Sequence, residues 1–381
     1  GEIARGEDQE MSLAQAHRLA RVVEKVGLDV MSAGVCLAWA TEAIEKGLIS
    51  EKETLVPLKC GDASSYCQAM HHLGVPTTRA LSLVATGEQA VLVAAVARIH
   101  AAKAAIWHGV IPPSFWRRTF YRWAYQHMDH VVVVSQYSAK KMGEMGIQPR
   151  RQSVITNGAD AGHFKVLPGE TAARFREELG FRTQPLLLTV GNVSERKGQD
   201  ILIQALPEIL SKKPEVHYLI VGLPTRQAEL TGLAQQLGVA NHVHFLGQVS
   251  RERLPVIYNA SDLFVLTSRH SSDGEFEGYG IVAVEAALCG KPSVVSNNSG
   301  LMEAVRDGET GLVVPEEDPH AAAEAVLSLL LDPEKLQSMG QAAHTRALRE
   351  QTWEICMRQF DLLLREMIQP EDELTGFEKT R

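Results

Sequence analysis

The sequence lacks an apolar run long enough to cross a membrane, a secretory leader, and an excess of positive charge. Its longest apolar runs, such as LLLTV and VVVVS, are strand-sized, whereas a membrane-spanning helix needs about 20 apolar residues. No basic and apolar leader opens the chain, so secretion is not indicated. The formal net charge is −8 over 381 residues, which excludes a chain built as a whole to coat nucleic acid. We therefore expect a cytoplasmic protein with no nucleic-acid partner.

Cysteine is also scarce, and its spacing excludes two kinds of metal site. No two cysteines form a CxxC pair, so neither a zinc knuckle nor a cysteine-ligated iron–sulfur cluster is indicated. The five cysteines are Cys36, Cys60, Cys67, Cys289 and Cys356. The pattern predicts reduced thiols, some of which fill the core.

The C-terminal half of the chain alternates between strand-like and helix-like segments. From about residue 185, short apolar runs alternate with helical periods across short turns with Gly or Asp, which predicts parallel βα units. The predicted strands are residues 186–190, 216–221, 243–246, 262–267, 292–296 and 311–314. Continuously apolar strands indicate a sheet covered on both faces. Ligands of such sheets bind beyond the carboxyl ends of the strands, so the loops there are the candidate sites.

The N-terminal half is less regular. It contains one clear strand, residues 131–135, followed by a helix and by a second short strand, residues 153–156. The stretch 80–99 predicts either a β-hairpin that turns at Gly87-Glu88 or a strand and a helix. A first strand that ends in a glycine-rich phosphate loop is missing. The predicted domains are an atypical, partly helical N-terminal region (1–100), the remainder of an N-terminal Rossmann-like domain (101–180), a C-terminal Rossmann-like domain (181–350), and a last helix with a tail (351–381).

The stretch GEFEGYGIVAVE, residues 274–285, combines glycines and acids between a predicted strand and a predicted helix. The first N–H groups of a helix have no partner within it, and the helix dipole adds about half a positive charge there. Gly278 and Gly280 allow close approach, so this loop is a candidate phosphate site. Glu277 and Glu285 can each accept two hydroxyl hydrogen bonds, which suits a sugar or a ribose. The alternative is a helix start with turn glycines and no ligand, because a lone glycine motif is weak evidence.

A second candidate phosphate contact follows the first predicted strand of the C-terminal half. The stretch TVGNVSERKGQD places Gly191 at the strand end, with Arg196 and Lys197 a few residues later. Cations there can meet the phosphate from another side, and Arg can bind it through two hydrogen bonds. The alternative is a pair of solvated surface cations. Two phosphate-compatible loops on one sheet favour the first interpretation and predict a nucleotide sugar as the ligand.

One histidine is a candidate for chemistry. His108, in AAIWHGVIPP, follows an apolar run and precedes a glycine. Its imidazole can hydrogen-bond to a substrate hydroxyl or titrate near neutral pH. The alternative is a structural histidine beside Trp107, since a lone histidine near a tryptophan is more often structural.

Several long segments together resemble the group 1 (family 4) retaining glycosyltransferases of the GT-B fold. The similar segments are VGNVSERKGQDILIQAL, VHFLGQVSRERLPVIYNASDLFVLTS, EFEGYGIVAVEAALCGKPSVVSNNSGLMEAVRDGETGLVV, and VVVVSQYSAKKM with the later VITNGADAGHF. The resemblance covers about residues 104–367. It implies two Rossmann-like domains that face a cleft, with the donor bound by the C-terminal domain and the acceptor by the N-terminal domain. It also implies that neither a metal nor a cofactor is required.

The resemblance gives roles to individual residues. Its E-x7-E signature implies that Glu285 holds the ribose and that Glu277, as a catalytic residue, holds the hydroxyls of the donor sugar. It also implies that Lys197 binds the phosphates and that His108 faces the donor sugar near the reacting centre. The backbone amides implied to hold the diphosphate are those of Gly280, Ile281 and Val282. Glu303, in SGLMEAVRDG, matches an acid at the start of a later helix of the family.

The chain departs from the family in two places. Asn192 stands where the family usually has an arginine, and Arg196 is the residue that can compensate. The usual N-terminal opening is absent as well. Instead, residues 1–63 resemble a helical part of the tungsten-containing aldehyde ferredoxin oxidoreductases, and residues 64–100 resemble a stretch of the selenoprotein O type pseudokinases. The chain is therefore interpreted as a mosaic, with a glycosyltransferase body behind a substituted N-terminal region.

The resulting hypothesis is a glycosyltransferase that moves a sugar, with retention, from a nucleotide sugar to an acceptor hydroxyl. The acceptor is a glycan, either lipid-linked or small. The alternatives are a nucleotide-sugar-binding protein without transfer activity and a fragment of a redox enzyme that needs a metal or a pterin. Arg117, Arg118 and Arg122 lie among aromatic residues and are interpreted as a solvated helix face, with peripheral contact at the inner membrane as the alternative.

Overall fold

The computed structural model describes residues 82–86, 91, 102–109, 115–272 and 274–368. These residues form two parallel α/β units, one around a four-stranded sheet and one around a six-stranded sheet. The predictions for residues 1–81, including the two helices and most of the mosaic region, lie outside the described residues, as does the tail from residue 369.

The N-terminal sheet has the strand order β1-β2-β3-β4, and all of its pairs are parallel. Its strands are β1 (Ser82–Thr86), β2 (Ala102–Trp107), β3 (His130–Val133) and β4 (Gln152–Val154). Helix α1 (Phe115–Gln126) lies between β2 and β3, and helix α2 (Gln136–Glu144) lies between β3 and β4. Both strands predicted for this half, 131–135 and 153–156, are present within two residues of their predicted bounds.

The strands β1 and β2 correct the interpretation of residues 80–107. They pair in parallel, with Ser82 opposite Ala102, so the predicted β-hairpin is wrong because a hairpin joins antiparallel neighbours. The other prediction for this stretch, a strand and a helix, agrees with the helical conformation of Val91. Strand β2 was not predicted at all. Its sequence AKAAIW is rich in alanine, a residue that is depleted in strands, and the buried sheet environment decides its conformation.

The C-terminal sheet has the strand order β10-β9-β8-β5-β6-β7 and is parallel throughout. Its strands are β5 (Leu186–Val190), β6 (His217–Val221), β7 (Val243–Gly247), β8 (Leu263–Leu266), β9 (Ser293–Ser296) and β10 (Gly311–Val314). All six predicted strands are confirmed. Every residue of β5, β8 and β9 is buried, as expected for strands that helices cover on both faces.

Helices connect these strands and extend beyond them. They are α3 (Gly169–Glu178), α4 (Gln199–Lys212), α5 (Gln227–Gln236), α6 (Leu254–Ala260), α7 (Ile281–Leu288), α8 (Leu301–Ala304), α9 (Pro319–Leu330), α10 (Pro333–Glu350) and α11 (Trp353–Ile368). The predicted helical stretch 318–367 is divided into the last three. Asp318 and Asp332 cap α9 and α10 through their side chains, and a proline follows each in the first turn, where its missing N–H costs nothing.

Two helices link the units across the predicted domain boundaries. Helix α3 precedes the predicted boundary at 181, yet its Phe175 belongs to the core cluster of the C-terminal sheet together with Leu186. Helix α11 returns to the N-terminal sheet, where Cys356 and Leu363 pack with Val132 of β3. The domain boundaries themselves stay predictions.

A pair of helical glycines provides a test of the packing between α7 and α10. A Cβ added at Gly340 of α10 would lie 2.4 Å from the Gly290 carbonyl oxygen, whereas one added at Gly232 of α5 meets nothing within 4 Å. Alanine at Gly232 should therefore stabilise the protein by about 0.5–1 kcal/mol through the better helix propensity. Alanine at Gly340 should destabilise it by about 1–3 kcal/mol because a backbone carbonyl must move. Scanning calorimetry of both variants measures the two shifts, and a higher midpoint for Gly340→Ala would contradict this packing.

Three histidines at the edge of the C-terminal sheet predict a loss of stability in acid. The His217 Nδ1 atom lies 3.0 Å from His244 Nε2, and the rings of His217 and His242 stack at 5.0 Å. Burial, and then His244 and His242, lower the pKa of His217 to about 4. Because this pKa lies below the unfolded value of about 6.5, the stabilisation is present above pH 6.5 and is lost as the pH falls towards 4. After solvent screening, we expect on the order of 1 kcal/mol.

The measurement is the thermal midpoint between pH 7 and pH 4.5. The thermal midpoint of His217→Gln should fall by less between pH 7 and pH 4.5 than that of the parent protein. His320→Gln is the control with the opposite sign, because its partner Glu208 raises the pKa of exposed His320. If His217→Gln and the parent have the same acid profile, the edge histidines do not contribute.

Candidate functional site

The two candidate loops meet at the carboxyl ends of adjacent central strands, as the sequence predicted. One loop follows β5 and the other follows β8, and these strands are neighbours in the sheet. The Arg269 amide donates a hydrogen bond of 2.9 Å to the Arg196 carbonyl. The Thr267 hydroxyl donates one of 2.7 Å to the Gly198 carbonyl. Gly198 has φ +63°, and an added Cβ would lie 1.9 Å from the Thr267 carbonyl oxygen, so only glycine allows the loops to join here.

Two cations converge on one carboxylate at this junction. Lys197 Nζ and Arg196 Nη1 each lie 2.7 Å from Glu277 Oε2, and the side chain of Glu277 is 13% exposed. Burial alone would raise the pKa of Glu277, but Lys197 and Arg196 together outweigh it and lower the pKa. Glu277 is therefore charged at neutral pH, and the three groups together carry a net charge of about +1. The more exposed Glu275, whose Oε2 atom lies 3.5 Å from Arg196 Nε, partly offsets this charge.

Gly191 makes room for one of these cations. A Cβ added there would lie 2.9 Å from Cε of Lys197. Lys197 itself is buried, with 8% of its surface exposed. Its side chain passes over Gly191 at the end of β5, and its ammonium group contacts Glu277. The exposed Asn192 follows, and its carbonyl accepts a hydrogen bond from Gln199. The positive charge next to Glu277 comes from Lys197 and Arg196, and not from position 192.

The N-terminus of helix α7 lies beside this cluster. Gly280 precedes the helix with φ +91° and no side chain caps the end, so the helix offers no partner to the amides of Ile281 and Val282. A Cβ at Gly280 would lie 2.3 Å from Leu301 Cδ2 and 3.9 Å from Glu277 Cγ. Gly280 therefore allows the helix start, α8 and Glu277 to lie close together. The amides and the dipole of α7 add to the positive potential of the two cations.

Glu285 lies one turn further along α7. Its Oε2 atom accepts a hydrogen bond of 2.7 Å from the Tyr258 hydroxyl of α6. Burial raises the pKa of Glu285, while the hydrogen bond from Tyr258 acts in the opposite direction. Tyr258 was not predicted as part of the site. Only the packing of α6 on α7 brings it there, although a tyrosine in an otherwise apolar helix is a signal that could have been noticed.

His108 reaches the site from the N-terminal unit. It follows β2 at its carboxyl end, and a Cβ added at Gly278 would lie 2.7 Å from the His108 carbonyl oxygen. Gly278 thus permits close contact between the units. The His108 side chain is exposed at the rim, and the partial loss of water around it lowers the pKa of its imidazole. The structure brings His108 to the Glu277 loop, which the sequence alone could not do.

Glu303 forms a contact between the units that was not predicted. Its two carboxylate oxygens accept hydrogen bonds of 2.8 Å from the amides of Gln136 and Tyr137, the first two residues of helix α2. The carboxylate thus caps a helix N-terminus in the opposite unit, where both the amides and the dipole favour negative charge. Arg346 donates hydrogen bonds to the carbonyls of Glu303 and Ala304 and fixes the short helix that carries Glu303.

A second contact between the units joins three polar side chains. The Tyr137 hydroxyl lies 2.8 Å from His270 Nε2, and His270 Nδ1 lies 3.0 Å from Glu316 Oε1. Phe276 packs edge-on against Tyr137, with ring centroids 5.4 Å apart. These residues line the cleft next to Glu277, and no sequence pattern predicted them because they lie on helix α2, on the loop after β8 and on the loop after β10.

Within the described ranges, no group of three or more His, Cys, Asp or Glu side chains is suited to hold a metal ion. The predicted absence of a metal and of a cofactor stays a prediction. No helix among the described residues is long and apolar enough to span a bilayer.

Comparison with protein families agrees with the geometry of the site. Residues 172–346 match the family model described as "Glycosyl transferases group 1", and residues 84–163 match "Glycosyltransferase Family 4". These two ranges are therefore similar to group 1 and family 4 glycosyltransferase domains. Residues 7–95 match "Aldehyde ferredoxin oxidoreductase, domains 2 & 3", which overlaps the resemblance predicted for residues 1–63 and also extends across most of the stretch 64–100. The pseudokinase resemblance of residues 64–100 stays a prediction.

Curated relatives match only part of the chain. It is 35% identical over 226 residues to the GDP-mannose-dependent alpha-(1-6)-phosphatidylinositol monomannoside mannosyltransferase of Mycolicibacterium smegmatis, covering 59% of each protein. It is 34% identical over 225 residues to the D-inositol 3-phosphate glycosyltransferase of Rhodococcus jostii, covering 57% of this chain and 48% of that protein. The chain thus matches about three fifths or less of the length of these relatives.

Solved structures share the fold. The chain resembles HepE of Anabaena in complex with UDP, with a TM-score of 0.68 and 27% identity, over 75% of this chain and 79% of that one. It also resembles sucrose-phosphate synthase from Thermosynechococcus elongatus, with a TM-score of 0.68 and 25% identity, over 80% and 76% of the two chains. The fold is that of GT-B glycosyltransferases, in which two parallel α/β domains face a cleft, as predicted.

Proposed function

We propose that this chain transfers a sugar from a nucleotide-sugar donor to an acceptor hydroxyl, with retention of the anomeric configuration. One observation carries the proposal. Lys197 and Arg196 converge on Glu277 at 2.7 Å beside the uncapped N-terminus of helix α7. A diphosphate carries the opposite charge and has many acceptor oxygens, so it is the ligand that this arrangement suits.

The remaining groups fit the other parts of a nucleotide sugar. Glu285 lies further along α7 and is oriented by Tyr258, so its free acceptor positions suit the two hydroxyls of a ribose. Glu277 keeps its Oε1 atom available for a hydroxyl of the donor sugar, because both cations contact Oε2. His108 approaches from the opposite unit, where it would face the sugar near the reacting carbon.

In the proposed reaction, the bond between the sugar and the diphosphate breaks, the acceptor oxygen attacks from the same face, and the proton of the acceptor hydroxyl passes to the departing diphosphate. The amides of Ile281 and Val282, together with Lys197 and Arg196, take up the charge that develops on the departing diphosphate. Such stabilisation acts more strongly on the transition state than on the bound donor, so it accelerates the chemical step. Positioning of the donor and acceptor across the cleft supplies the remaining acceleration.

The donor and acceptor classes are part of the proposal. Relatives named for GDP-mannose, and structures with UDP, support a nucleotide sugar as donor. The relatives' names support an acceptor that is either lipid-linked or a small polyol phosphate. We place the reaction in carbohydrate biosynthesis at the cytoplasmic side of the inner membrane, with peripheral contact if the acceptor is lipid-linked.

The test is incubation of the purified chain with labelled GDP-mannose and UDP-glucose, followed by detection of transferred or hydrolysed sugar. Activity should disappear in the Glu277→Ala/Lys197→Ala double variant and persist in Lys213→Ala, which removes an exposed ion pair with Glu215. NMR of the product reports the anomeric configuration. Activity that survives in the double variant would refute the proposal. Calorimetry that detects nucleotide binding without turnover would favour a nucleotide-sugar-binding protein.

A further inference from the structure

A cavity lies at the amino ends of the central strands of the C-terminal sheet, away from the candidate site. It has a volume of about 430 Å³ and is lined by Asp262 and Pro292, which immediately precede β8 and β9. The donor site lies at the other ends of these strands. Helix α7 separates the two regions: it begins beside Glu277 and ends at Leu288, and the residues that follow it, Cys289 and Lys291, line the cavity. Eight helical residues span about 12 Å, so the cavity is distinct from the donor site.

The cavity contains a cation that lacks a close counter-charge. Lys291 is partly buried, and none of the carboxylates in the described ranges lies within ion-pairing distance of its Nζ atom. Asp262 attracts Lys291 from beyond ion-pairing distance. Its Oδ2 atom accepts hydrogen bonds from the Leu186 amide and from Arg176. Burial lowers the pKa of Lys291, which is the expected response of a cation that has lost water without gaining a partner.

The other groups of the cavity offset this charge only in part. Asp262 attracts Lys291 and raises its pKa, but Arg176, which lies 3.3 Å from Asp262, acts in the opposite direction. The Cys289 thiol is uncharged, because burial raises its pKa to about 12. Gln337 and Gln341 add neutral amide donors at the wall.

The rest of the wall is apolar. It includes Val166, Leu167, Ala172 and Leu336. The volume falls within the range of about 300–1,000 Å³ that is typical of small-molecule sites. A cation and amide donors within an apolar wall suit a ligand that has both a charged group and a carbon skeleton.

We propose that this cavity binds a small organic anion, whose phosphate or carboxylate group contacts Lys291 and whose carbon skeleton lies against the apolar wall. The binding site is independent of the proposed function. It rests on the position of the cavity, on its lining, and on Lys291, which forms no close ion pair with a carboxylate of the described residues.

Pyridoxal 5′-phosphate and pyridoxal form a matched pair of probes. Both aldehydes form an imine with a lysine amine and release water, and borohydride then fixes the product for peptide mapping. Only the first carries a phosphate. With excess GDP and UDP present to protect Lys197, we expect pyridoxal phosphate to label Lys291 about tenfold faster than pyridoxal, because binding orients it first. The exposed Lys165 and Lys335 should show a much smaller ratio. Glucose 6-phosphate should slow labelling at Lys291 alone.

Two substitutions at exposed neighbouring positions sharpen the test. Gln337→Glu adds negative charge to the wall and should slow labelling by pyridoxal phosphate several-fold without changing labelling by pyridoxal. Ser338→Glu adds the same charge one residue outside the wall and should have little effect. Equal rates for the two probes at Lys291, or equal effects of the two substitutions, would overturn the proposed anion site.

Discussion

Replacing Lys197 by methionine is expected to lower kcat for sugar transfer by about 10²–10³-fold, with a smaller effect on KM. Methionine keeps the length and the apolar stem of the side chain but removes the ammonium group 2.7 Å from Glu277. In the proposed mechanism, that charge acts mainly on the departing diphosphate, and the loss of one such group costs about this much in other enzymes. Initial rates with a labelled nucleotide sugar measure the effect.

The controls separate chemistry from stability. Lys197 is also the largest of the influences that lower the pKa of buried Glu277, so its removal leaves that carboxylate with Arg196 as its remaining close cation. Breaking a buried pair destabilises a protein, and the thermal midpoint must therefore be measured beside the rate. Lys197→Arg keeps the charge and should recover part of kcat. A folded Lys197→Met protein with kcat within threefold of the parent would contradict the proposed role.

Replacing Glu303 by glutamine is expected to release helix α2 from the C-terminal unit and to lower kcat/KM by about tenfold or more. Both carboxylate oxygens accept amide hydrogen bonds at 2.8 Å, whereas glutamine offers one oxygen and places an NH₂ group against the second amide. Each hydrogen bond to a charged group contributes about 1.5–3 kcal/mol, so the closed arrangement loses much of its support. The reaction needs both units because His108 and Glu277 lie on opposite sides of the cleft.

Hydrogen exchange measures this change directly. The amides of Gln136 and Tyr137 should exchange faster in Glu303→Gln, while peptides from β5 should be unchanged. Glu309→Gln is the matched control, since Glu309 lies on the same segment, is exposed and pairs only with Arg306 among the described residues. If the amides at the start of α2 remain equally protected in Glu303→Gln, the carboxylate does not hold the units together.

The cluster at Glu277 also explains how the chain tolerates asparagine at position 192. The family that the sequence resembles usually has an arginine there, and Arg196 was the residue predicted to compensate for it. In the fold, the guanidinium of Arg196 reaches the same oxygen of Glu277 as Lys197 does. Two cations therefore flank the helix start, and we expect Arg196→Ala to impair transfer in the same direction as the change at Lys197.

The sequence by itself determined the features that depend on neighbouring residues. Short, largely apolar runs predicted all six strands of the C-terminal sheet, and the signal is simplest in β5, β8 and β9, which are buried along their whole length. The loop around Glu277 and the loop with Lys197 were predicted to lie together, since the carboxyl ends of parallel strands share one edge of a sheet. Strand β2 escaped prediction because its alanines carry almost no local signal.

Only the tertiary structure decided which distant residues complete the site. Tyr258 and Glu285 are 27 positions apart in sequence. Glu303 caps helix α2 from a distance of 167 positions, and Tyr137 contacts His270 from a distance of 133. Local periodicity contains no information about such pairs, because each depends on how whole helices and sheets pack. The sequence thus specifies where a charged ligand can bind on one unit, and the packing of the two units specifies which side chains surround it.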